Sequence, residues 1–172
     1  MPEIEVIGGS EPGPIRIVDY DAQWPQHFEA ERARIAAALS ARPTLIEHIG
    51  STAVPGLAAK PIIDVLVAVD DVEDQGAYRE ALEAAGYALR IREPGHRMFR
   101  TAARDIHVHL WAAGSADVQR HLRFRDLLRQ SAADRERYER AKRDLAARSW
   151  TDTNDYAQAK TAIISTIMDR PG

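Results

Sequence analysis

Ile62-Ile63-Asp64-Val65-Leu66-Val67-Ala68-Val69 is the stretch that decides the fold. Within the strand expected over 61–69, this run is apolar on both alternating faces, as a central strand covered from both sides requires, and one carboxylate interrupts it. An ionised carboxylate in such a strand is costly unless it is paired, hydrogen-bonded or bound to a cation. Backbone N–H groups, a salt bridge from Lys60 or an arginine, and a metal ion all meet that need for Asp64, and the run alone does not separate them.

Working upstream, 51–60 contains Pro55-Gly56, which marks a turn, and 44–49 has the length and pattern of another strand. Pro25 suits the first turn of a helix, and Trp24, Phe28, Ile35 and Leu39 give that helix one apolar face as far as about Ser40. Residues 1–14 carry Gly8, Gly9, Ser10, Pro12, Gly13 and Pro14 and read as a loose, flexible lead-in, so the expected single domain spans 15–170.

Downstream, Tyr78, Leu82 and Ala85 predict a short helix ending at Gly86. Strands over 87–92, 97–101 and 105–111 follow, joined by turns at Pro94-Gly95 and Ala103-Arg104. After Gly114 the pattern is helical, over 115–130, 131–148 and 154–168, with Tyr156, Ala159, Ile163 and Ile167 on the buried face of the last helix. Mixed elements followed by a helical third imply an α+β (mixed α/β) fold, a central mixed or antiparallel sheet packed by helices.

The chain of 172 residues has the length of one domain. Its 23 Lys+Arg against 26 Asp+Glu give a net charge of −3, so anion binding has to come from a local cluster, and nucleic acid is disfavoured as a partner. It has no cysteine, which excludes disulfides and thiolate metal sites. The N-terminus lacks a basic segment followed by an apolar run, and no stretch approaches a membrane-spanning length, so a cytoplasmic location without membrane association is expected.

Beside Asp64, three features bear on chemistry. Gly50-Ser51 follows a strand, placing a glycine where backbone can approach a phosphate and a hydroxyl where it can donate to one; a turn glycine with a capping serine is the plainer reading. Asp105, His107 and His109 alternate along one strand and so face one way, which suits either a divalent-metal site of N,O type or a solvated sheet face. His27, His96 and His121 lack such grouping and read as surface or core residues. Lys60, Arg97, Arg100, Arg123, Arg125 and Lys160 are cations that a polyphosphate could gather, while 134–140 alternates in sign and reads as a solvated helix face laced with ion pairs.

The segment from Ile46 to Asp64, with His48-Ile49-Gly50-Ser51-Thr52 and Lys60-Pro61-Ile62-Ile63-Asp64 as its most specific parts, closely resembles the GrpB family. Val18-Asp19-Tyr20 to Trp24-Pro25, His107-Val108-His109-Leu110, Phe124-Arg125-Asp126-Leu127-Leu128-Arg129 and Tyr156-Ala157-Gln158-Ala159-Lys160 extend the resemblance over about 15–168. It implies a nucleotidyltransferase-like fold, and similar domains occur fused to dephospho-CoA kinase. Enzymes of that superfamily pair a Gly-Ser turn with carboxylates that hold divalent ions for attack on a nucleotide α-phosphate. Gly50-Ser51 and Asp64 match that scheme, but Ile62 and Leu66 leave no second carboxylate, and His107 or His109 takes the third position. Imidazole favours a transition metal over magnesium.

The function these readings imply is transfer or ligation with a nucleoside triphosphate, ATP by preference, and a small acceptor. Asp64, His107 and His109 are then the ligands of Mg, Mn or Zn, and Ser51, Lys60 and Asp64 the catalytic groups. Gly50, Ser51, Thr52, Lys60, Arg100, Arg125 and Lys160 would hold phosphate. The alternative is a nucleotide- or CoA-binding accessory domain without chemistry.

Overall fold

The structure is a computed structural model that describes residues 3–40, 43 and 45–170. Met1 and Pro2 of the expected lead-in, and Thr44 at the start of an expected strand, lie outside the described residues. In chain order the elements are β1 (Glu5–Val6), α1 (Trp24–Ala38), β2 (Leu45–Ile49), β3 (Ile63–Val69), α2 (Arg79–Ala84), β4 (Ala88–Glu93), β5 (His96–Arg100), β6 (Ile106–Ala112), α3 (Ala116–Gln130), α4 (Ala132–Ala146), α5 (Thr153–Ala159) and α6 (Thr161–Met168).

Six strands form one mixed sheet in the order β1-β4-β5-β6-β3-β2. Only β3 and β6 pair in parallel among the described strands; the other pairs are antiparallel. The apolar run of β3 is indeed covered on both sides, because Val65, Leu66 and Val67 are all fully buried. On one side Ile63, Val65 and Val67 pack with Ile106, Val108 and Leu110 of β6 beneath Trp24, Phe28 and Ile35 of α1 and Leu82 of α2. On the other, Leu66, Ala68 and Trp111 meet Val118 of α3. A third cluster joins Val54 and Leu57, in the connection after β2, to Leu128, Tyr138 and Ile167 of the C-terminal helices.

Three expectations are corrected. Glu5–Val6, within the segment expected to be irregular, pairs with Ile91 and Arg92 at the sheet edge, and Arg90, in a bulge of β4, donates to the carbonyls of Ile7 and Gly9. A buried guanidinium that needs acceptors for its donors outweighs the local glycine content. The helix expected over 154–168 is two helices meeting at Lys160, a break that no glycine or proline marks. The face read as solvated in 134–140 is partly buried: Asp134, Tyr138 and Lys142 are at most 4 % exposed and recur every four residues along α4. The buried charges have partners, Arg170 for Asp134 and the Ala58 carbonyl for Lys142.

Candidate metal and phosphate site

β2 ends at Ile49, directly opposite Asp64, and the chain turns away at Gly50 with φ 74° and ψ −173°. A side chain is excluded there twice, by the positive φ and because a Cβ would lie 2.6 Å from Asp64 Oδ2. The glycine therefore brings backbone against the carboxylate, and a single 3-10 turn, Ser51–Ala53, follows. Ser51 Oγ accepts from Lys142 Nζ at 3.0 Å. Thr52, expected to face phosphate, points elsewhere: it is 1 % exposed and its hydroxyl donates to the Ile62 carbonyl at 3.0 Å. With its proton used, Thr52 Oγ1 accepts from His48 Nε2 at 2.9 Å, and His48 stacks on Phe28. Thr52 braces the turn because the β2 side chain below it needs an acceptor.

Parallel pairing sets Asp64 opposite His107 and Leu66 opposite His109. His109 Nε2 lies 3.2 Å and His107 Nδ1 3.7 Å from Asp64 Oδ1, and one ligand atom from each of the three lies within 4.8 Å of the others. Burial works to raise the Asp64 pKa, but the contact with His109 and the positive field of both histidines and Lys160 hold it at about 2. Burial pushes His107 down to about 4 against the pull of Asp64. A carboxylate that stays ionised beside an imidazole that stays neutral is the protonation state metal ligands need. Asp105, expected on the same face, instead accepts from Thr101 at 2.6 Å in the turn before β6.

Two histidines read as isolated belong to this cluster. His96 Nε2 is 3.0 Å from His109 Nδ1, and its Nδ1 is 2.6 Å from Glu93 Oε1. The His96 ring stacks on His109 and on Trp111, and Trp111 stacks in turn on His109 and His121. The hairpin of β5 and β6 causes this: Met98 opposes His109 and His96 opposes Trp111, so alternate residues of both strands share one face. The turn at Ala103-Arg104 was the signal that could have paired them.

The expected cations divide into two groups. Lys60 and Lys160 converge, their Nζ atoms 5.5 and 5.0 Å from the Tyr156 ring centroid. Burial lowers both pKa values; proximity of the two lysines lowers that of Lys60 further, and Asp64 opposes the shift in each. Lys142, absent from the sequence reading, is 2 % exposed and is pushed down to about 7 by burial and then by the charge of Lys160. Tyr156 Oη is buried and has no hydrogen-bond partner among the described residues. Arg100 and Arg125 are already satisfied by carboxylates, Arg100 in a two-pronged contact with Glu11 at 2.7 and 2.5 Å, Arg125 with Glu47 and Asp126, each at 2.9 Å. Both were expected to hold phosphate; strong intramolecular pairs take up the donors a phosphate would use.

The sequence model of the family described as GrpB protein matches residues 14–170. The chain belongs to the GrpB family. A UPF0157 protein of Streptomyces coelicolor is 52% identical over 169 residues, covering 98% of this chain and 90% of that protein. The crystal structure of the conserved protein GrpB from Enterococcus faecalis superposes with a TM-score of 0.70 at 28% identity, covering 90% of this chain and all of that one. A dephospho-CoA kinase of Mycolicibacterium paratuberculosis is 36% identical over 77 residues, 43% of this chain and 19% of that protein.

In this GrpB chain the donor set of two imidazole nitrogens and one carboxylate oxygen fits a transition metal such as zinc or manganese better than magnesium. Beside it stand three lysines and an unsatisfied phenol, an arrangement suited to a polyanion. No helix among the described residues is long and apolar enough to cross a membrane.

Proposed function

We propose that residues 15–170 act as one nucleotidyltransferase-like unit, a metal-dependent enzyme that transfers or activates a nucleotidyl group from ATP to a small acceptor in the cytoplasm. The observation that carries this reading is the convergence of Asp64, His107 and His109 beneath the Gly50-Ser51 turn, with Lys60 and Lys160 alongside. A divalent ion held by those three ligands would supply Lewis acidity toward the α-phosphate.

The chain's own residues do the rest. Gly50 lets the triphosphate approach backbone that any side chain would shield. The Ser51 hydroxyl accepts from Lys142 and hydrogen-bonds to Tyr138, and its proton would turn from the Tyr138 oxygen to a phosphate oxygen on binding. Lys60 and Lys160 neutralise charge on the departing pyrophosphate, and Tyr156 Oη gains an acceptor. In the transfer the acceptor oxygen bonds to the α-phosphorus, the bond to the bridging oxygen of pyrophosphate breaks, and the acceptor's proton is released to solvent.

Calorimetric titration of ATP, with and without manganese or zinc, tests the assignment together with a pyrophosphate-release assay. Metal-dependent binding and turnover in the unmodified protein, both lost in Asp64→Asn and in His107→Ala/His109→Ala, are the expected results. An Asp64→Asn protein that keeps both would overturn the assignment.

A second reading is favoured by one observation: Ile62 and Leu66 stand where a second carboxylate would, and Leu66 is fully buried. On that reading the pocket binds a nucleotide or a CoA-like ligand without chemistry, and the segment shared with dephospho-CoA kinase makes CoA the second ligand to titrate. Tight binding with no pyrophosphate released in the presence of many acceptors would establish it.

A further inference from the structure

Ile49, Asp64, His107 and Arg100 stand side by side across four adjacent strands, β2, β3, β6 and β5. Directly paired residues of neighbouring strands point to one face of a sheet, so Arg100 shares the face of Asp64 and His107. The Gly50 turn flanks Asp64 on one side of this row. Arg100 closes the row on the other side, two strand spacings or about 10 Å from Asp64 along the sheet.

The group that fills Arg100 comes from the N-terminal segment. Glu11 Oε2 and Oε1 accept from its guanidinium at 2.7 and 2.5 Å. Arg104, in the turn before β6, reaches Oε1 at 3.2 Å, and Arg90, in the bulge of β4, reaches Oε2 at 3.7 Å. Arg100 alone satisfies a carboxylate, which has two oxygens and one charge. Two more guanidiniums are more than that carboxylate needs. Arg90 turns its donors to the carbonyls of Ile7 and Gly9, and Asp152 is the other carboxylate whose field reaches it. Arg104 is more than half exposed and holds a positive φ of 62°, a conformation that disfavours any residue with a Cβ. A phosphomonoester, with three terminal oxygens and nearly two charges, gives each guanidinium an oxygen of its own.

Glu11 is also weakly tied to the packed domain. None of residues 3–14 is buried, although Ile7 packs partly against the core. What holds the segment is the two-residue strand β1, the carbonyls on Arg90, the Glu11 carboxylate, and the Thr153 amide, which donates to the Glu11 carbonyl at 3.1 Å. A seam made mainly of ionic and polar contacts opens at a lower cost than one that buries apolar side chains, and a competing anion acts directly on it.

We propose that Arg90, Arg100 and Arg104 form a binding subsite for a phosphomonoester group on the small acceptor, and that Glu11 fills this subsite as an internal stand-in until the acceptor arrives. Assigning the phosphate to the acceptor rests on the function proposed above, in which the nucleotide's phosphates take the Gly50-Ser51 side of the row. Occupation of the arginines by phosphate does not rest on it. Binding of the acceptor displaces the Glu11 carboxylate and loosens the segment that carries it.

Phenyl phosphate is the probe, titrated by calorimetry into the metal-free protein. A site closed by an internal competitor binds in proportion to its open fraction, so Glu11→Gln, which keeps the shape and removes the charge, should bind phenyl phosphate about 10-fold or more tightly than the unmodified protein. Adding Arg100→Gln and Arg104→Gln to that variant should abolish binding. ATP affinity, measured in parallel, should change less than about 2-fold in Glu11→Gln. In the unmodified protein, saturating phenyl phosphate should speed hydrogen exchange of the Thr153 amide, a readout that needs no variant.

Equal or weaker affinity in Glu11→Gln, binding that survives loss of both arginines, or Thr153 exchange that bound phosphate leaves unchanged overturns the proposal. ATP that tightens as much as phenyl phosphate overturns the assignment to the acceptor. The expected phenyl phosphate results in a protein that releases no pyrophosphate from ATP with any phosphorylated acceptor uphold the subsite and overturn the transfer reading instead.

Discussion

The two faces of the β3–β6 pair differ more than any other two surfaces of the molecule. On one face Ile63, Val65, Val67, Ile106, Val108 and Leu110 are at most 6 % exposed under α1 and α2. On the other, the downstream ends of the strands carry apolar Leu66, Ala68 and Trp111 against α3, but the upstream ends carry Asp64, His107 and His109, which remain about a quarter exposed. The same two strands thus provide stability through one set of alternate residues and chemistry through the other, and α3 covers only as much of the second face as the site can spare. The rigidity of the ligands therefore comes from the opposite face of their own strands.

The contrast is broken most severely from the apolar side. Leu110→Ala, at a fully buried position, should cost about 2–5 kcal/mol in urea unfolding. His107→Ala, whose alternate position faces the site, should cost less than about 1 kcal/mol. Equal losses would mean that the two faces are not functionally divided. Gly50→Ala comes next: the positive φ and the approach to Asp64 predict about 1–3 kcal/mol of lost stability, with Co²⁺ affinity reduced in the same protein.

Glu11 pairs with Arg100 at the upstream end of the same sheet. The hydrogen bonds from Arg100, with the charges of Arg90 and Arg104, overcome the opposing effect of burial and hold its carboxyl at about 2. A depressed carboxyl pKa stabilises the fold above the ordinary value near 4.5 and loses that contribution as the pH falls toward 2. Glu11→Gln should therefore be less stable than the unmodified protein at pH 7, by on the order of 2 kcal/mol, and the two unfolding curves should converge toward pH 2. A constant gap across that window would show that the arginines hold the segment by packing alone.

The smallest effect is expected at Tyr156. Removing a buried hydroxyl that has no partner among the described residues should change stability by less than about 1 kcal/mol, in either direction. If that hydroxyl serves a phosphate, Tyr156→Phe should weaken ATP binding about 2–10-fold by calorimetry. Unchanged affinity would remove Tyr156 from the site.

Strand and helix placement was legible because each element carried its own period: the apolar run of β3, the alternation of β6, and Trp24, Phe28, Ile35 and Leu39 along α1 and just beyond it. The grouping of Asp64 with His107 and His109 was also legible, since alternation fixes one face and the resemblance named the partner strand. His96 was missed because its relation to His109 runs across a hairpin register rather than along a strand. Asp134 was misread, and Lys142 just beyond the run was passed over, because charges of alternating sign look alike on paired and solvated helix faces, and only packing against α3 and α6 decides between them. Arg100 and Arg125 resembled phosphate ligands until Glu11 and Glu47, 89 and 78 residues away in sequence, were in view.

Residue types and their spacing within single elements were enough to read the family, the strands and helices from α1 to α4, the glycine at the turn and the three residues able to ligate a metal. Folding in three dimensions settled which cations remain available to a ligand, which histidines stack beside His109, and that the Tyr156 hydroxyl has no partner among the described residues. Those outcomes depend on atoms brought within hydrogen-bonding distance from elements far apart in the chain, and on which of them are removed from water. Local periodicity carries no record of either.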